Sequence, residues 1–272
     1  MNRIELKSGN SIPQIGLGTW KLTGDTCRDM VKEALLMGYR HIDTADAYGN
    51  HEEVGAGMDE SRIPRDSFFL TTKIQKESLH YNEVIKGAET MLKQLRTEYI
   101  DLLLIHWPNK KVPFEETFKG LSDLRGKGVV KDIGISNFNK DITADAVDVS
   151  EAPVVMNQVE FHPFLYQEGL LNACTDLGVK VTAYSPLAQG RVFKNETLSG
   201  IAEKHGVSES QVSLAWLFSK GIIAVPKASS VDHLRDNFGS VELQLPEEDI
   251  RLIDTIHEGY RVVDGPWKDY EF

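Results

Sequence analysis

Apolar positions along the chain follow two alternating rhythms. Short, mostly apolar runs of strand length alternate with longer segments whose apolar residues recur every three or four positions. Ile4 to Leu6 and Ser11-Ile12 flank Ser8-Gly9-Asn10, which predicts a hairpin with turn residues at its tip. Beyond it, strands are predicted at Ile15 to Leu17, His41 to Asp43, Phe68 to Thr72, Ile100 to His106, Val129 to Ile135, Val154 to Val159, Val179 to Ala183 and Ile222 to Val225. The helical rhythm covers Thr26 to Met37, Glu52 to Asp59, Tyr81 to Leu95, Phe114 to Arg125, Asp141 to Val147 and Gln167 to Asp176. It returns at Leu198 to His205, Ser208 to Ser219, Val231 to Phe238 and Glu247 to His257. In Tyr81 to Leu95 the stripe is plain: Val84, Ile85, Ala88, Met91, Leu92 and Leu95 share one face. Gly38, Gly126 and Gly178 stand where helices stop.

Repeated strand–helix units predict a parallel sheet, joined by right-handed crossovers. Eight such units in 272 residues predict an α/β fold, a (β/α)8 TIM barrel with an N-terminal β-hairpin and two extra helices. No Pro/Gly/Ser-rich linker divides the chain, so residues 1–272 are expected to form a single domain. An open nucleotide-binding sheet would want a glycine fingerprint. Gly16-Leu17-Gly18-Thr19-Trp20-Lys21 has lysine where the third glycine belongs, and Gly55-Ala56-Gly57-Met58-Asp59-Glu60 fails in the same way.

Composition narrows the partners. Lys plus Arg is 30 and Asp plus Glu is 41, a formal net charge of −11. That balance argues against nucleic acid and against an anionic membrane surface. The longest apolar run, Ile100 to Ile105, is interrupted by Asp101 and falls short of the roughly 20 residues of a membrane span. Met1 to Pro13 lacks an apolar signal-peptide region, and Cys27 and Cys174 lie far apart with no CxxC spacing. These features predict unpaired thiols, no metal site and a cytoplasmic protein.

In barrels of this kind, chemistry gathers at the C-terminal ends of the strands. The polar residues there are Asp43, Lys73, His106, Ser136 with Asn137, Gln158 with Glu160, Tyr184 with Ser185, and Lys227; Tyr48 follows the second strand. Each alone has an ordinary structural reading: a rim salt bridge for Asp43 and Lys73, a satisfied core group for His106, packing for Tyr48 and Trp107. Together they would place an acid, a cation, a phenol and an imidazole at one mouth.

The local strings resemble a known family. Gly38-Tyr39-Arg40-His41-Ile42-Asp43-Thr44-Ala45, continuing to Tyr48-Gly49-Asn50 and Val54-Gly55, is similar to the first signature of the aldo-keto reductases. Ile100-Asp101-Leu102 through His106-Trp107-Pro108, Gly134-Ile135-Ser136-Asn137-Phe138 and Asn157-Gln158-Val159-Glu160 resemble its later segments. So do Ala183-Tyr184-Ser185-Pro186-Leu187 and Val225-Pro226-Lys227, in the same order. The short loops and the ending Tyr260-Arg261 through Trp267 resemble the microbial 2,5-diketo-D-gluconate and methylglyoxal reductase group.

The resemblance implies an oxidoreductase that reduces small aldehydes, ketones and α-dicarbonyls with NADPH, NADH serving more weakly. It implies Tyr48 as general acid, Lys73 lowering the phenol's pKa, Asp43 holding Lys73, and His106 orienting the carbonyl. It implies Tyr184 stacking on the nicotinamide, and Ser136, Asn137 and Gln158 at the carboxamide. Ser185, Pro186 and Leu187 would line the pyrophosphate path. Lys227, Ser229 and Ser230 would meet the 2′-phosphate, and Asn237 the adenine. His233 stands where relatives often carry Arg, which predicts a weaker NADPH preference. His51 stands where relatives often carry Glu. Trp20, Tyr48, His106, Trp107 and Trp267 would contact substrate, in a monomer. Two rival readings stay open: a hydrolase using carboxylates such as Asp43 and Glu160, and a non-catalytic NADP-binding sensor.

Overall fold

The computed structural model describes residues 2–263. The chain begins with the hairpin: β1 (Arg3–Glu5) runs antiparallel to β2 (Ser11–Pro13), with Ile4 opposite Ile12. Eight strands then form one parallel sheet in chain order. They are β3 (Leu17–Gly18), β4 (His41–Asp43), β5 (Phe69–Ile74), β6 (Ile100–Ile105), β7 (Val130–Ser136), β8 (Val154–Glu160), β9 (Lys180–Tyr184) and β10 (Ile223–Ala224). The sheet is curled, and backbone contacts join its first and last segments. Ile15 bridges Ala224, and the Gly16 and Gly18 amides donate to the carbonyls of Ala224 and Pro226 at 2.9 and 3.1 Å. Gly18 is needed there, because a Cβ on it would sit 2.5 Å from the Val225 carbonyl oxygen.

Helices cover the strands' outer side: α1 (Gly24–Met37), α2 (His51–Ser61), α3 (Tyr81–Gln94), α4 (Phe114–Gly126), α5 (Lys140–Val149) and α6 (Glu168–Asp176) follow β3 to β8 in turn. Both α7 (Glu196–His205) and α8 (Glu209–Ser219) follow β9, and both α9 (Val231–Gly239) and α10 (Glu247–Asp254) follow β10. The doubled helices are the two expected extras. Gly38 ends α1 at φ 117°, in the left-handed region where glycine carries no penalty. Among the described residues no helix is long and apolar enough to cross a membrane.

Alternation along the strands divides the core. Leu103 and Ile105 pack outward toward the helices, whereas Leu102 and Leu104 join Phe69, Val155, Met156 and Ile223 on the inner face. Leu6 and Ile12 of the hairpin segment join this inner cluster, so the hairpin plugs one end of the curl. On β5, Phe69, Thr71 and Lys73 share that inner face, one step of two apart. The interior therefore climbs from an apolar floor to a charged rim, and the functional side chains stand at the far end from the hairpin.

Candidate active site

Asp43 ends β4 and pairs in register with Thr71, so Lys73 lies one inner-face step above it. The Lys73 ammonium donates to Asp43 Oδ1 at 2.6 Å, to the Thr44 carbonyl at 2.8 Å and to the Tyr48 hydroxyl at 3.4 Å. Gln158 Nε2 donates to the other Asp43 oxygen at 2.6 Å. Every oxygen of this buried carboxylate thus has a donor, and the ammonium has three acceptors.

Tyr48 is carried by a short 3-10 turn, Asp46–Tyr48, just after β4. Asn50 holds that turn in place. Its amide donates to the carbonyls of Thr19 and Leu22 at 2.9 Å each, and Thr44 Oγ1 donates to its Oδ1 at 3.0 Å. The loop bearing Trp20 and Lys21 is therefore fastened to the turn bearing Tyr48. His106 follows β6, and its ring meets the Tyr48 ring edge-on at 5.8 Å.

Burial sets the protonation states. It raises the Tyr48 phenol above its ordinary value near 10; Lys73 pulls downward and Asp43 pushes up again. Lys73 acts on the phenol in the expected downward direction, but desolvation outweighs it and the net shift is upward. For Lys73, burial works against the charge, but Asp43 and Tyr48 overcome it and the ammonium is held above its usual range. His106 is driven down to about 3 by burial and by Lys73, so its imidazole is neutral at neutral pH.

The rest of the rim forms one connected cluster. Ser136 Oγ and the Asn137 amide both donate to the Gln158 carbonyl, at 2.7 and 2.9 Å. Asn137 Nδ2 donates to the His106 carbonyl at 2.9 Å, and the Tyr184 hydroxyl donates to Asn137 Oδ1 at 2.9 Å. Asn137 takes φ 65°, left-handed backbone that Asn tolerates better than most residues. It thereby links β6, β7 and β9 around the opening.

A cavity of about 720 Å³ opens over these residues. Trp20, Asp43, Tyr48, His106, Trp107, Ser136, Asn137, Gln158 and Tyr184 line it. So do Ser185, Pro186, Leu187, Lys227, Ser229, His233 and Asn237. Lys73 stands behind this surface, 1% exposed. Ser230 is not part of the lining: its hydroxyl accepts the His233 amide and caps α9. Trp267 lies outside the described residues. Glu160 is fully buried and bonded to His162 and to the amides of Val262 and Val263, so it supplies no second carboxylate across the cavity from Asp43. Arg235, two residues past His233, is paired with Asp232 on an exposed surface.

Lining residues absent from the sequence reading include Lys21, Gln189, Phe193, Asp236 and Val263. Lys21 and Lys227 are both cavity-lining cations, and neither makes an ion pair among the described residues. His51 is the first residue of α2, its ring between Thr72 Oγ1 at 2.9 Å and Gln94 Oε1 at 3.2 Å. Both neighbours can bond a neutral imidazole, which is how this helix seats a histidine there.

The Aldo/keto reductase family model matches residues 14–258. A glyoxal reductase of Bacillus subtilis is 37% identical over 264 residues, 97% of this chain and 95% of that protein. A methylglyoxal reductase of Escherichia coli O157:H7 is 37% identical over 256 residues, 93% of this chain and 96% of that protein. A Bombyx mori aldo-keto reductase solved in complex with NADP superposes with a TM-score of 0.93 at 33% identity, covering 99% of this chain and 97% of that one. A fold shared nearly end to end, relatives above 30% identity over most of the chain and a family model spanning most of the sequence agree: the chain belongs to the aldo/keto reductase family, NAD(P)H-dependent oxidoreductases.

Proposed function

We propose that this protein reduces small aldehydes, ketones and α-dicarbonyls to alcohols with NADPH, NADH serving more weakly, and that Tyr48 is the general acid. Methylglyoxal and 2,5-diketo-D-gluconate are the substrate types that its relatives' names suggest. The single observation that carries the reading is the Asp43–Lys73–Tyr48 arrangement beside a neutral His106. An ammonium only donates, so the Tyr48 oxygen accepts from Lys73 and its own O–H is left to donate to a carbonyl oxygen.

The residues suit a nicotinamide dinucleotide. The cavity volume lies within the usual ~300–1,000 Å³ of small-molecule sites. Ser136, Asn137 and Gln158 offer clustered donors and acceptors for a carboxamide, and the Tyr184 ring, fixed through its hydroxyl, offers a stacking face. Lys21 and Lys227, which have no carboxylate partner among the described residues, suit a polyanion in a chain whose net charge is −11. Lys227 with Ser229 would meet the 2′-phosphate, Ser185 to Leu187 the pyrophosphate, and Asn237 the adenine; His233 puts an imidazole where a planar guanidinium would bind a phosphate bidentately. When bound, the cofactor supplies the hydride.

The chain's own work is protonic and electrostatic. The phenol of Tyr48, kept protonated by burial, gives its proton to the developing alkoxide. Lys73 stabilises the phenolate left behind, and Asp43 keeps that ammonium charged and placed. His106 is neutral and contributes a hydrogen bond to the carbonyl rather than the proton. Trp20 and Trp107 supply apolar wall at the substrate end, and the bonds between residues 14–18 and 224–227 support the reading of one closed (β/α)8 barrel domain. The reading places a monomer in the cytoplasm, where the buried thiols Cys27 and Cys174 stay unpaired.

The test is direct. Purified protein is mixed with NADPH and methylglyoxal, aromatic aldehydes or keto-sugars, and cofactor absorbance is followed. Carbonyl-dependent oxidation that drops by about 10²–10⁴ in Tyr48→Phe supports the mechanism. Tight NADPH binding with no turnover of any carbonyl would refute it.

A further inference from the structure

We infer that Glu160 is a positioning residue: it fastens segment 261–263 along one side of the cavity and so sets which carbonyl compounds the site accepts. The substrate part of this inference rests on the reductase reading above; the fastening does not. Glu160 ends β8 and is fully buried, yet it does not line the cavity. Its Oε1 accepts from His162 Nε2 at 3.0 Å and from the Val262 amide at 2.6 Å; its Oε2 accepts from the Val263 amide at 3.1 Å. A carboxylate only accepts, so His162 donates from Nε2, and its buried Nδ1 has no partner among the described residues.

Two of these three donors come from residues 102 and 103 positions further along the chain. The neighbouring contacts point to the same segment. Gln167 Nε2 donates to the Glu160 carbonyl at 2.7 Å, and Arg261 Nη2 donates to Gln167 Oε1 at 3.1 Å. From the other side, Gln189 Nε2 donates to the Val262 carbonyl at 3.2 Å. Gln189 and Val263 both line the cavity. The segment therefore lies between the end of β8 and the turn at Ala188–Lys194, with Val263 as wall.

Apolar burial alone does not hold it. Arg261, Val262 and Val263 are all only half-buried, so little of the placement comes from removing surface from water. Charge-assisted bonds from two consecutive amides to one buried carboxylate are the strong, directional contacts here. Releasing them leaves β8 intact and moves a wall.

Amide hydrogen exchange on the native protein tests the fastening first, without any variant. The amides of Val262 and Val263 are expected to exchange about 100-fold or more slower than free peptide, as hydrogen-bonded amides with a buried acceptor do. Unprotected exchange at both would overturn the inference. Glu160→Gln then keeps the size but turns one acceptor into a donor, leaving one amide unmatched. Exchange at these positions should rise about tenfold, the KM for 4-nitrobenzaldehyde should shift at least about fivefold, and that for methylglyoxal should stay within about twofold. The NADPH Kd, read by fluorescence quenching, should also stay within about twofold. Val263→Gly, which keeps the carboxylate and its amides, should reproduce the size-dependent KM shift, and it carries the test if Glu160→Gln does not fold. Equal KM shifts for both aldehydes, or a parallel fall in kcat, would assign Glu160 a purely structural role and overturn the inference. Protected amides in a protein that turns over no carbonyl would instead sink the reductase reading and leave the fastening standing.

Discussion

Replacing Lys73 by Met separates the two effects of its ammonium. Lys73 and Asp43 are 1% and 2% exposed and meet at 2.6 Å. Methionine fills much of the same channel without charge. It strands the Asp43 carboxylate in the interior with Gln158 Nε2 as its remaining side-chain donor. Breaking a buried pair from one side costs about 3–5 kcal/mol, because the desolvation of the survivor is no longer offset. Adding Asp43→Asn removes the stranded charge, and a neutral replacement of a buried pair is often close to isoenergetic. The double variant should therefore return to within about 1 kcal/mol of the native protein in urea unfolding. Turnover should not return with it. Both variants lack the cation 3.4 Å from the Tyr48 hydroxyl, and losing one such preorganised group costs about 10²–10³ in kcat. A single-variant loss below about 1 kcal/mol would refute the energetic account. Recovery of NADPH-dependent turnover in the double variant would refute the catalytic one.

Three further outcomes follow from the same geometry. Tyr48 stays protonated through neutrality and His106 stays neutral, so kcat/KM for reduction should be flat from about pH 6 to about pH 9 and fall only as the phenol ionises above that; an inflection in the neutral range that His106→Asn abolishes would contradict this. His41, buried at 1% exposure, is held at about 3 by desolvation, then by Lys73 and Arg3. The unfolded chain takes up that proton below about 6.5 and the folded one does not, so stability should drop by about 2 kcal/mol between pH 8 and pH 5, and an equal drop in His41→Gln would count against it. Lys227→Met should weaken NADPH binding about tenfold in fluorescence titrations, less so in high salt, and leave NADH nearly unchanged; equal weakening of both would remove Lys227 from the 2′-phosphate.

How much was legible depended on what fixes each residue's place. Asp43, Lys73, His106 and Tyr184 end strands whose apolar rhythm was plain, so their convergence could be read from periodicity. The α-helices and strands were read as such, most boundaries moved by only one to a few residues, and the short 3-10 segments were not read. The turn carrying Tyr48 was not legible, because it depends on Asn50 reaching the Thr19 and Leu22 carbonyls across the fold. Lys21 and Gln189 were missed for a related reason. Both sit at positive φ, 61° and 50°, in non-glycine residues that local propensity places elsewhere. Ser229 and Ser230 are indistinguishable as letters, yet the start of α9 turns one into a cap and leaves the other at the cavity. Val263 and Glu160 meet only because the chain returns after about a hundred residues, which no local pattern encodes.

Electrostatics adds what neither rhythm nor motif contains. One desolvated corner of the rim acts on three ionisable groups in different ways. It lifts the Tyr48 phenol and so preserves its proton; it discharges His106 and leaves it a neutral hydrogen-bonding ring. It works against the Lys73 ammonium too, but Asp43 and Tyr48 reverse that effect. In the proposed mechanism, the division of labour between acid, orienting group and cation follows from which member of the cluster has a carboxylate within 2.6 Å. Moving that carboxylate would act on the Lys73 ammonium at first hand and on the Tyr48 phenol both at first hand and through the lysine. This is why the pair behind the cavity surface, rather than any residue on it, is the most sensitive place to perturb the site.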